Sequence, residues 1–425
     1  MATLAILGGP KTIEALGPHL IWPRITKSVE QAVLNQLYKT ISIYDRSGVI
    51  AEFETAFAEY HGRRFGLLSN SGTNAIYSMY EGLGLGPGDE VICPVYTFFA
   101  TVSPLMHVGA TPVFCDCDAN GNINSSEIEK LITPNTRAVV VTHMWGIPCE
   151  MDPIVAICRK YNLRLIEDCS HAHGAKYHGK LVGTFGDAAA WSLQAQKTIT
   201  GGEGGIMLTN NEELYRRALL QGHYNKRCKQ EIPKDHPLSK FSTTGLGLKF
   251  RSHPLAVAIA QEQFSHLGEW LGQRQLFANR MTEAFKPFAF LKVPATAGKE
   301  AGWYAYVMQF DPAHSNGVSI DLFTKAVLAE GLVELDRPRS TALLQGFPLF
   351  SEPNEVLPRL YPAPLVGKSR SFPVAEGFYE NALKLPVWAF PDEEALVNLY
   401  IEGLVKVASV VRDDPRALLA AGMSR

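Results

Sequence analysis

Apolar and polar positions follow two different periods along the first half of the chain. Apolar residues recur at helical spacing from Ile25 to Phe57, with an interruption at Ser47-Gly48. Short apolar runs predict strands, and they lie at 64–68, 90–94, 111–116, 138–142, 164–168, 188–193 and 206–208. Helical periodicity separates most of these runs, for example at 153–161 and 211–220. Strands that alternate with helices favour a mostly parallel sheet of the α/β class.

A change of pattern near residue 260 indicates a second, smaller domain. A polar, basic stretch precedes this change and contains Lys226, Arg227, Lys229 and Lys234. We predict that it is a solvated loop or a segment that reaches a neighbouring subunit's site. A long helix from 255 to about 284 follows, and the remaining pattern predicts a strand at 303–310 and helices at 320–330 and 393–410. We therefore assign residues 1–260 to an N-terminal segment and a large domain, and residues 261–425 to a small C-terminal domain.

Composition and charge exclude several classes of function. The 425 residues are 46% hydrophobic and carry a formal net charge of −2, so the chain lacks the basic field that nucleic acid requires. Its first residues have no basic region, and no apolar stretch is long enough to span a bilayer, so we expect a cytoplasmic protein. The seven cysteines include no Cys-x-x-Cys pair. No clustered histidines accompany the close pair Cys115 and Cys117, so we expect no metal site.

Lys197 is the first candidate for chemistry. It stands alone between the predicted strand at 188–193 and a turn, Gly201-Gly202-Glu203-Gly204-Gly205, in which no regular element can continue. A lysine amine becomes a nucleophile when desolvation or a neighbouring cation lowers its pKa, and it then forms Schiff bases with carbonyl compounds. Most lysines are solvated surface residues, so this interpretation requires partners elsewhere in the chain.

Such partners fall at the ends of other predicted strands. Thr73, Phe98 and Asp168 each lie at or just after a strand, and ligands of α/β sheets gather beyond the carboxyl ends of the strands. The turn Ser69–Asn74 precedes a helix, so its small polar side chains either cap that helix or form a phosphate site with the free N–H groups. Asp168, taken alone, is as consistent with a helix cap as with a site residue.

Together these residues look like a site for pyridoxal phosphate, a cofactor that requires a lysine, an acid beside its ring nitrogen, a stacking aromatic and phosphate donors. The chain resembles the DegT, DnrJ and StrS sugar aminotransferases, within the fold-type I (aspartate aminotransferase-like) enzymes. The motifs that carry this resemblance are Gly86-Pro87-Gly88-Asp89-Glu90-Val91-Ile92, Gly109-Ala110-Thr111-Pro112-Val113-Phe114, Ile166-Glu167-Asp168-Cys169, Ala172-His173-Gly174-Ala175 and Gly202-Glu203-Gly204-Gly205. The opening Leu7-Gly8-Gly9-Pro10-Lys11 and the turn from Thr200 are most similar to those of members that make aminocyclitols, such as glutamine:scyllo-inosose aminotransferases.

The resemblance implies a fold and a role for each site residue. It implies a large domain with a mostly parallel seven-stranded sheet and a smaller C-terminal α/β domain. Lys197 would bind the cofactor aldehyde and carry a proton, Asp168 would pair with the ring nitrogen, and His171 would contact the ring or its 3-oxygen. Phe98 would stack on the ring, with Tyr96 as its competitor. The phosphate would lie among Gly72, Thr73, Asn74 and Ser192.

Lys249 departs from the family pattern. Many relatives have an asparagine at this position, which reaches the phosphate of the neighbouring subunit, and a lysine serves a phosphate only as a point charge. The alternative is that the contact between subunits has been reworked in this chain. The resemblance implies a homodimer with shared active sites in either case.

The implied reaction moves an amino group from glutamine or glutamate to a ketone of a sugar or cyclitol, in amino-sugar or aminoglycoside-type antibiotic biosynthesis. One alternative is an aromatising or dehydrating enzyme similar to the aminohydroxybenzoate synthases, and another is a non-catalytic, cofactor-binding partner. The carboxylate of the donor calls for an arginine or for backbone donors. The candidate arginines are Arg251, Arg337, Arg339, Arg359 and Arg370.

Overall fold

The computed structural model describes residues 3–365 and 370–423. The strands of this part of the chain are β1 (Phe65–Ser69), β2 (Glu90–Pro94), β3 (Tyr96–Thr97), β4 (Thr111–Cys115), β5 (Thr136–Thr142), β6 (Arg164–Asp168), β7 (Lys176–Tyr177), β8 (Lys180–Leu181), β9 (Ala188–Ser192), β10 (Gly205–Thr209), β11 (Leu291–Lys292), β12 (Lys299–Glu300), β13 (Tyr306–Phe310), β14 (Ala342–Leu343) and β15 (Ala382–Leu385).

The α-helices of the same residues are α1 (Lys27–Lys39), α2 (Gly48–Tyr60), α3 (Gly72–Gly82), α4 (Ser103–Val108), α5 (Ser125–Ile128), α6 (Met151–Lys160), α7 (Glu212–Gly222), α8 (Lys226–Glu231), α9 (Pro254–Ser265), α10 (Leu267–Phe285), α11 (Ile320–Ala329), α12 (Pro348–Ser351), α13 (Pro373–Asn381), α14 (Glu394–Asp413) and α15 (Arg416–Met423). None of these helices is both long and apolar enough to cross a membrane.

A seven-stranded sheet organises the large domain, in the order β1-β10-β9-β6-β5-β2-β4. Strand β10 runs antiparallel to β1 and β9, and the other neighbouring pairs are parallel. The predicted α/β class and mostly parallel sheet are therefore confirmed. The register pairs Asp168 with Thr142 on one side and with Ala190 on the other, so three strands end at one edge of the sheet.

Small and apolar residues allow this sheet to be covered on both faces. The side chains of Ala188, Ala189, Ala190 and Trp191 in β9 are fully buried, as expected for a strand with helices on either side. Helix α3 and its neighbours form a core with one face of the sheet, and Phe53 and Phe57 of α2 form a core with the other.

The small domain has its own sheet, in the order β11-β13-β15, and its own core. Leu4 and Ile13 of the N-terminal segment pack in that core, and Glu330 accepts a hydrogen bond from the backbone N–H of Ala5 at 2.8 Å. In the opposite direction, Phe350 and Tyr361 pack in the core of the large domain. The N-terminal segment and the segment around 350–361 therefore each pack against the domain at the other end of the chain.

The structure corrects two predictions about the connecting region. The basic stretch at 226–234 is not a solvated loop, because it contains α8, and the Arg227 guanidinium there is buried against the carboxylate of Glu54 at 2.8 and 2.9 Å. Charge pattern alone could not reveal a partner 173 residues away. The long helix predicted from 255 is two helices, α9 and α10, with His266 between them.

Candidate active site

A cavity of about 400 Å³ opens at the edge where β5, β6 and β9 end. Seven residues predicted for the site line it, namely Gly72, Thr73, Phe98, Asp168, His171, Ser192 and Lys197. The cavity therefore gathers residues that lie up to 125 positions apart in the sequence. Parallel strands produce this arrangement because their carboxyl ends meet at one edge of the sheet.

Lys197 lies in the cavity wall with an amine suited to nucleophilic attack. Burial lowers the pKa of Lys197 to about 8, although the carboxylate of Asp168 acts in the opposite direction. The lysine Nζ is 4.6 Å from the centroid of the Tyr304 ring. Its backbone is held on both sides, because the carbonyl oxygen of Lys197 accepts from Nε1 of Trp22 at 2.9 Å and its N–H donates to the carbonyl oxygen of Gln194 at 2.8 Å.

The glycine turn after Lys197 is required by close packing behind the lysine. A Cβ on Gly205 would lie 2.4 Å from the carbonyl oxygen of Ser71, and one on Gly201 would lie 2.4 Å from that of Ala256. Real Cβ atoms do not approach a backbone oxygen so closely. The turn therefore packs directly against the residue that begins α3, with no space for a side chain between them.

Asp168 is buried at the end of β6 with both carboxylate oxygens hydrogen-bonded. Its Oδ2 accepts from the Thr101 hydroxyl at 2.7 Å, and its Oδ1 accepts from the backbone N–H of Ser170 at 3.0 Å. The Thr101 hydroxyl in turn contacts the hydroxyls of Thr97 at 3.0 Å and Thr142 at 3.3 Å. Three hydroxyl groups from separate segments thus support one orientation of the carboxylate.

His171 lies in an aromatic stack on the wall of the cavity. Its ring is nearly parallel to that of Tyr304, with centroids 4.0 Å apart and planes 5° apart. The ring of Trp145 stacks on that of His171, with centroids 5.6 Å apart. Burial, with a smaller effect of the Lys197 charge, lowers the pKa of His171 well below its usual range, so the ring is neutral at pH 7. Its Nδ1 is buried without a hydrogen-bond partner among the described residues.

The start of α3 offers an anion site. Ser71 caps the helix, because its Oγ accepts from the N–H of Asn74 at 3.1 Å, and the helix then exposes its first N–H groups and the positive end of its dipole. Gly72 lies so close to Ser192 that a Cβ added to it would be 2.6 Å from the serine Cβ. Thr73 and Ser192 complete this end of the cavity.

Three predicted residues lie outside the cavity lining. The Asn74 side chain donates to Oδ1 of Asn70 at 2.7 Å instead of facing the cavity. The Tyr96 ring is fully buried against Phe378, with centroids 5.0 Å apart, so Phe98 is the aromatic of the two that lines the cavity. Lys249 is exposed.

None of the five arginines considered for the donor carboxylate lines the cavity. Arg337 and Arg339 pair with Glu380, and Arg370 pairs with Glu127. The guanidinium of Arg251 lies over the ring of Tyr44, 5.3 Å from its centroid. These pairings depend on the tertiary structure, so the sequence could not separate the five candidates.

Several lining residues had little or no signal in the sequence. They come from loops, from the end of β5 or from the small domain, and they are Thr101, Thr142, Trp145, Tyr304, Ser340, Thr341 and Lys384. Trp145 and Tyr304 sit beside apolar runs and read as core residues. Thr101 stands three residues after Phe98, and that spacing on a turn was the one available indication of its position.

A second group of potential ligands lies beneath the site. His143, Glu167 and Cys169 place one ligand atom each within 4.8 Å of one another. The carboxylate of Glu167 already accepts from three backbone N–H groups, those of Gly183, Phe185 and Gly186. His143 bonds to that carboxylate at 3.3 Å. The group is therefore explained by hydrogen bonds within the protein.

Comparison with known proteins adds to this geometry. Residues 25–398 match the DegT/DnrJ/EryC1/StrS aminotransferase family. The chain is 32% identical over 346 residues to the L-glutamine:2-deoxy-scyllo-inosose aminotransferase of Streptomyces fradiae, covering 78% of this chain and 79% of that protein. It is 40% identical over 191 residues to the GDP-perosamine synthase of Escherichia coli O157:H7, covering 45% and 52%. The X-ray structure of the aminotransferase from Psychrobacter cryohalolentis superposes with a TM-score of 0.82 at 27% identity, covering 93% and 100%.

Proposed function

The chain belongs to the DegT/DnrJ/EryC1/StrS aminotransferase family, as its motifs predicted, and from this premise we propose a specific reaction for it. The protein is a pyridoxal-phosphate-dependent aminotransferase that takes an amino group from glutamine or glutamate. The acceptor is a ketone of a cyclitol or sugar, and the reaction serves amino-sugar or aminoglycoside-type antibiotic biosynthesis in the cytoplasm.

One observation carries this proposal, which is that Lys197 and Asp168 line the same cavity. Bound pyridoxal phosphate supplies an aldehyde that condenses with an amine and a ring that accepts electrons. A pKa of about 8 leaves an appreciable fraction of Lys197 neutral near pH 7, and the neutral amine is both a nucleophile and a proton carrier at Nζ. Asp168, whose carboxylate is oriented by Thr101 and Ser170, would hold a proton on the ring nitrogen of the bound cofactor because its negative charge favours the protonated ring.

The other residues of the cavity fit the remaining parts of the cofactor. The unpartnered Nδ1 of His171 offers a hydrogen bond to a ligand, and a buried polar atom without a partner is costly unless a ligand satisfies it. Gly72 admits a phosphate close to the backbone where a larger residue would meet Ser192. Thr73 supplies donors at the helix start, and Phe98 offers an aromatic face.

The named relatives support the choice of substrates. The Streptomyces fradiae relative uses L-glutamine and a scyllo-inosose by its name, and it aligns with most of this chain. The GDP-perosamine synthase aligns with less than half of the chain, although at higher identity. We therefore propose a keto-cyclitol, in preference to a nucleotide-linked keto-sugar, as the acceptor.

A homodimer with shared active sites is part of the proposal. Large apolar side chains are exposed on and near α1, where Leu37, Tyr38 and Ile41 are 47%, 86% and 55% exposed. Phe98 in the cavity lining and its neighbour Phe99 are 42% and 46% exposed. Apolar surface of this kind marks an interaction site, so we assign the contact between the two copies to this surface. Sedimentation that finds an active monomer would contradict the dimer.

Covalent trapping tests the cofactor assignment. Borohydride should fix pyridoxal phosphate to the wild-type protein and not to Lys197→Ala, while Lys176→Ala, which changes an exposed lysine paired with Glu300, should behave as the wild type. Asp168→Ala should keep the cofactor and lose turnover by about a hundredfold or more, and a rate near that of the wild type would refute its role.

A substrate screen tests the reaction. Keto-cyclitols, keto-sugars and amino donors should be combined and followed through the absorbance of the cofactor. Amino-group transfer from L-glutamine to a keto-cyclitol is the expected result. Loss of water from the acceptor without transfer would instead favour the aromatising class, and no turnover with an intact cofactor would favour a non-catalytic partner.

A further inference from the structure

The cavity contains a cation to which the proposed reaction assigns no role. Its ionisable side chains include two acids, Asp168 and Glu203, and two lysines, Lys197 and Lys384. Lys197 is assigned to the cofactor aldehyde. No arginine contributes to the described lining, so Lys384 is the remaining lysine or arginine side chain there.

Lys384 stands on a rigid part of the small domain. It lies in β15 between Leu383 and Leu385, which are fully buried, so the alternation of the strand directs the lysine away from the core. Its backbone exchanges two hydrogen bonds with Asp336, at 2.9 and 2.7 Å. A charge on a strand held in this way is well suited to position a substrate.

The ammonium of Lys384 keeps most of its binding capacity. Its described charged partner is Asp336, at 2.8 Å, and the two side chains are 29% and 56% exposed. An exposed pair of this kind contributes little free energy because water screens it. An ammonium has three N–H donors, so Lys384 can bind a second carboxylate without releasing Asp336.

The lysine also lies near the reacting groups. Lys384 and His171 line the same cavity, and the charge of Lys384 adds a small contribution to the lowered pKa of His171. Hydroxyl groups of Ser340 and Thr341 lie in the same lining and can share an anion with it. In an amino acid a single carbon separates the amine from the α-carboxylate, so the carboxylate must be bound close to the site of amine transfer.

We propose that Lys384 binds the α-carboxylate of the amino donor. The inference rests on the proposed function. It assigns to Lys384 the binding of the donor carboxylate, for which none of the five candidate arginines lies in the cavity lining. The carboxylate is preferred to a phosphate of the acceptor because Lys384 lines the same cavity as Lys197, Asp168 and His171, the residues assigned to the chemistry.

The test compares Lys384→Met and Lys384→Arg in the first half-reaction, in which L-glutamine converts the cofactor and changes its absorbance. Lys384→Met should raise the half-saturating concentration of L-glutamine by about tenfold or more, with a smaller change in the maximal rate. Lys384→Arg should retain most of the affinity. Lys176→Met is the matched control, because Lys176 also lies on a strand and pairs with an exposed acid at 2.9 Å, outside the cavity.

A donor analogue identifies the group that is bound. The wild type should prefer L-glutamine to its α-amide, which lacks the carboxylate, and Lys384→Met should lose most of this preference. Calorimetry of L-glutamine binding to Lys197→Ala, with and without Lys384→Met, gives the same comparison without turnover. Circular dichroism tests whether each variant is folded. If Lys384→Met is not folded, Lys384→Arg still tests the role of the charge.

Two results would overturn the inference. The first is an unchanged half-saturating concentration of L-glutamine in Lys384→Met, and the second is an effect confined to the acceptor, which would assign the lysine to an acceptor phosphate. If the wild type transfers no amino group from any donor, the proposed function itself fails. If it does transfer and Lys384→Met matches it, only the role of Lys384 fails.

Discussion

Thr101 donates a hydrogen bond from its hydroxyl to Oδ2 of Asp168 across 2.7 Å, joining the loop after β3 to the end of β6. Because the carboxylate accepts only, this proton must point at Asp168, and the Thr101 oxygen then accepts from Thr97 or Thr142. The hydroxyls are therefore polarised towards the acid that we assign to the ring nitrogen.

Replacing Thr101 by valine should weaken the action of Asp168. Hydrogen bonds to charged groups contribute about 1.5–3 kcal/mol, so Thr101→Val should reduce kcat by about tenfold or more and shift the pH profile of the cofactor absorbance. Thr101→Ser should restore both. The matched control is Thr209→Val, which removes a buried hydroxyl bonded to the carbonyl oxygen of Asp187. Equal losses in both valine variants would mean that Thr101 is only structural.

The reaction of the apoenzyme with pyridoxal phosphate should depend on pH through Lys197. Burial lowers the pKa of Lys197 to about 8, and the neutral amine is the reactive form, so the rate should rise with pH and level off above about pH 8. Stopped-flow absorbance measures this profile, and Lys197→Ala is the control. A rate that still rises beyond pH 10 would indicate an amine with an ordinary pKa.

A methyl group at position 72 should damage the phosphate end of the cavity. In Gly72→Ala the new Cβ would lie 2.6 Å from the Cβ of Ser192, so the start of α3 must shift. We expect affinity for pyridoxal phosphate to fall by about tenfold or more, as measured by equilibrium dialysis. Gly268 is a matched control near the start of α10, where a Cβ meets nothing within 4 Å. Gly268→Ala should leave the affinity unchanged and stabilise the fold by about 0.4–1 kcal/mol.

The buried ion pair between Arg227 and Glu54 should dominate the stability of the region around α8. The side chains are 2% and 0% exposed, so removing Arg227 takes two hydrogen bonds from the buried Glu54 carboxylate and leaves Arg46, at 3.1 Å, as its remaining described cation. Arg227→Met should lower the free energy of unfolding by about 3–5 kcal/mol in urea titration. Arg217→Met removes an exposed pair with Glu213 at 2.8 Å and should cost less than about 1 kcal/mol. Similar losses in the two variants would contradict the assigned burial.

Local patterns were sufficient for most of the regular elements. The strands predicted at 90–94 and 164–168 agree with β2 and β6 to the residue, because a buried parallel strand is a continuous apolar run with a polar end. The predictions failed where a distant partner decides the outcome. Arg227 reads as a solvated charge until Glu54, 173 residues earlier, is placed against it.

The same division applies to the candidate site. Lys197, Asp168 and Gly72 stand in local motifs that are visible in the sequence, namely a lysine before a glycine turn, an acid at the end of a strand and a small-residue turn before a helix. Tyr304 and Lys384 stand in strands or loops of the small domain, where the same residue types are common at the surface or in a core.

The sequence by itself determined the alternation of strands and helices, the family, and the residues that chemistry would require at the ends of the strands. Only the tertiary structure decided which of the many cations faces the cavity, which hydroxyl supports Asp168, and which aromatic rings stack beside Lys197. The physical reason is that periodicity and turn chemistry act between near neighbours in the chain. Desolvation, ion pairing and ring stacking depend on distances in space, and the packing of the two domains sets those distances.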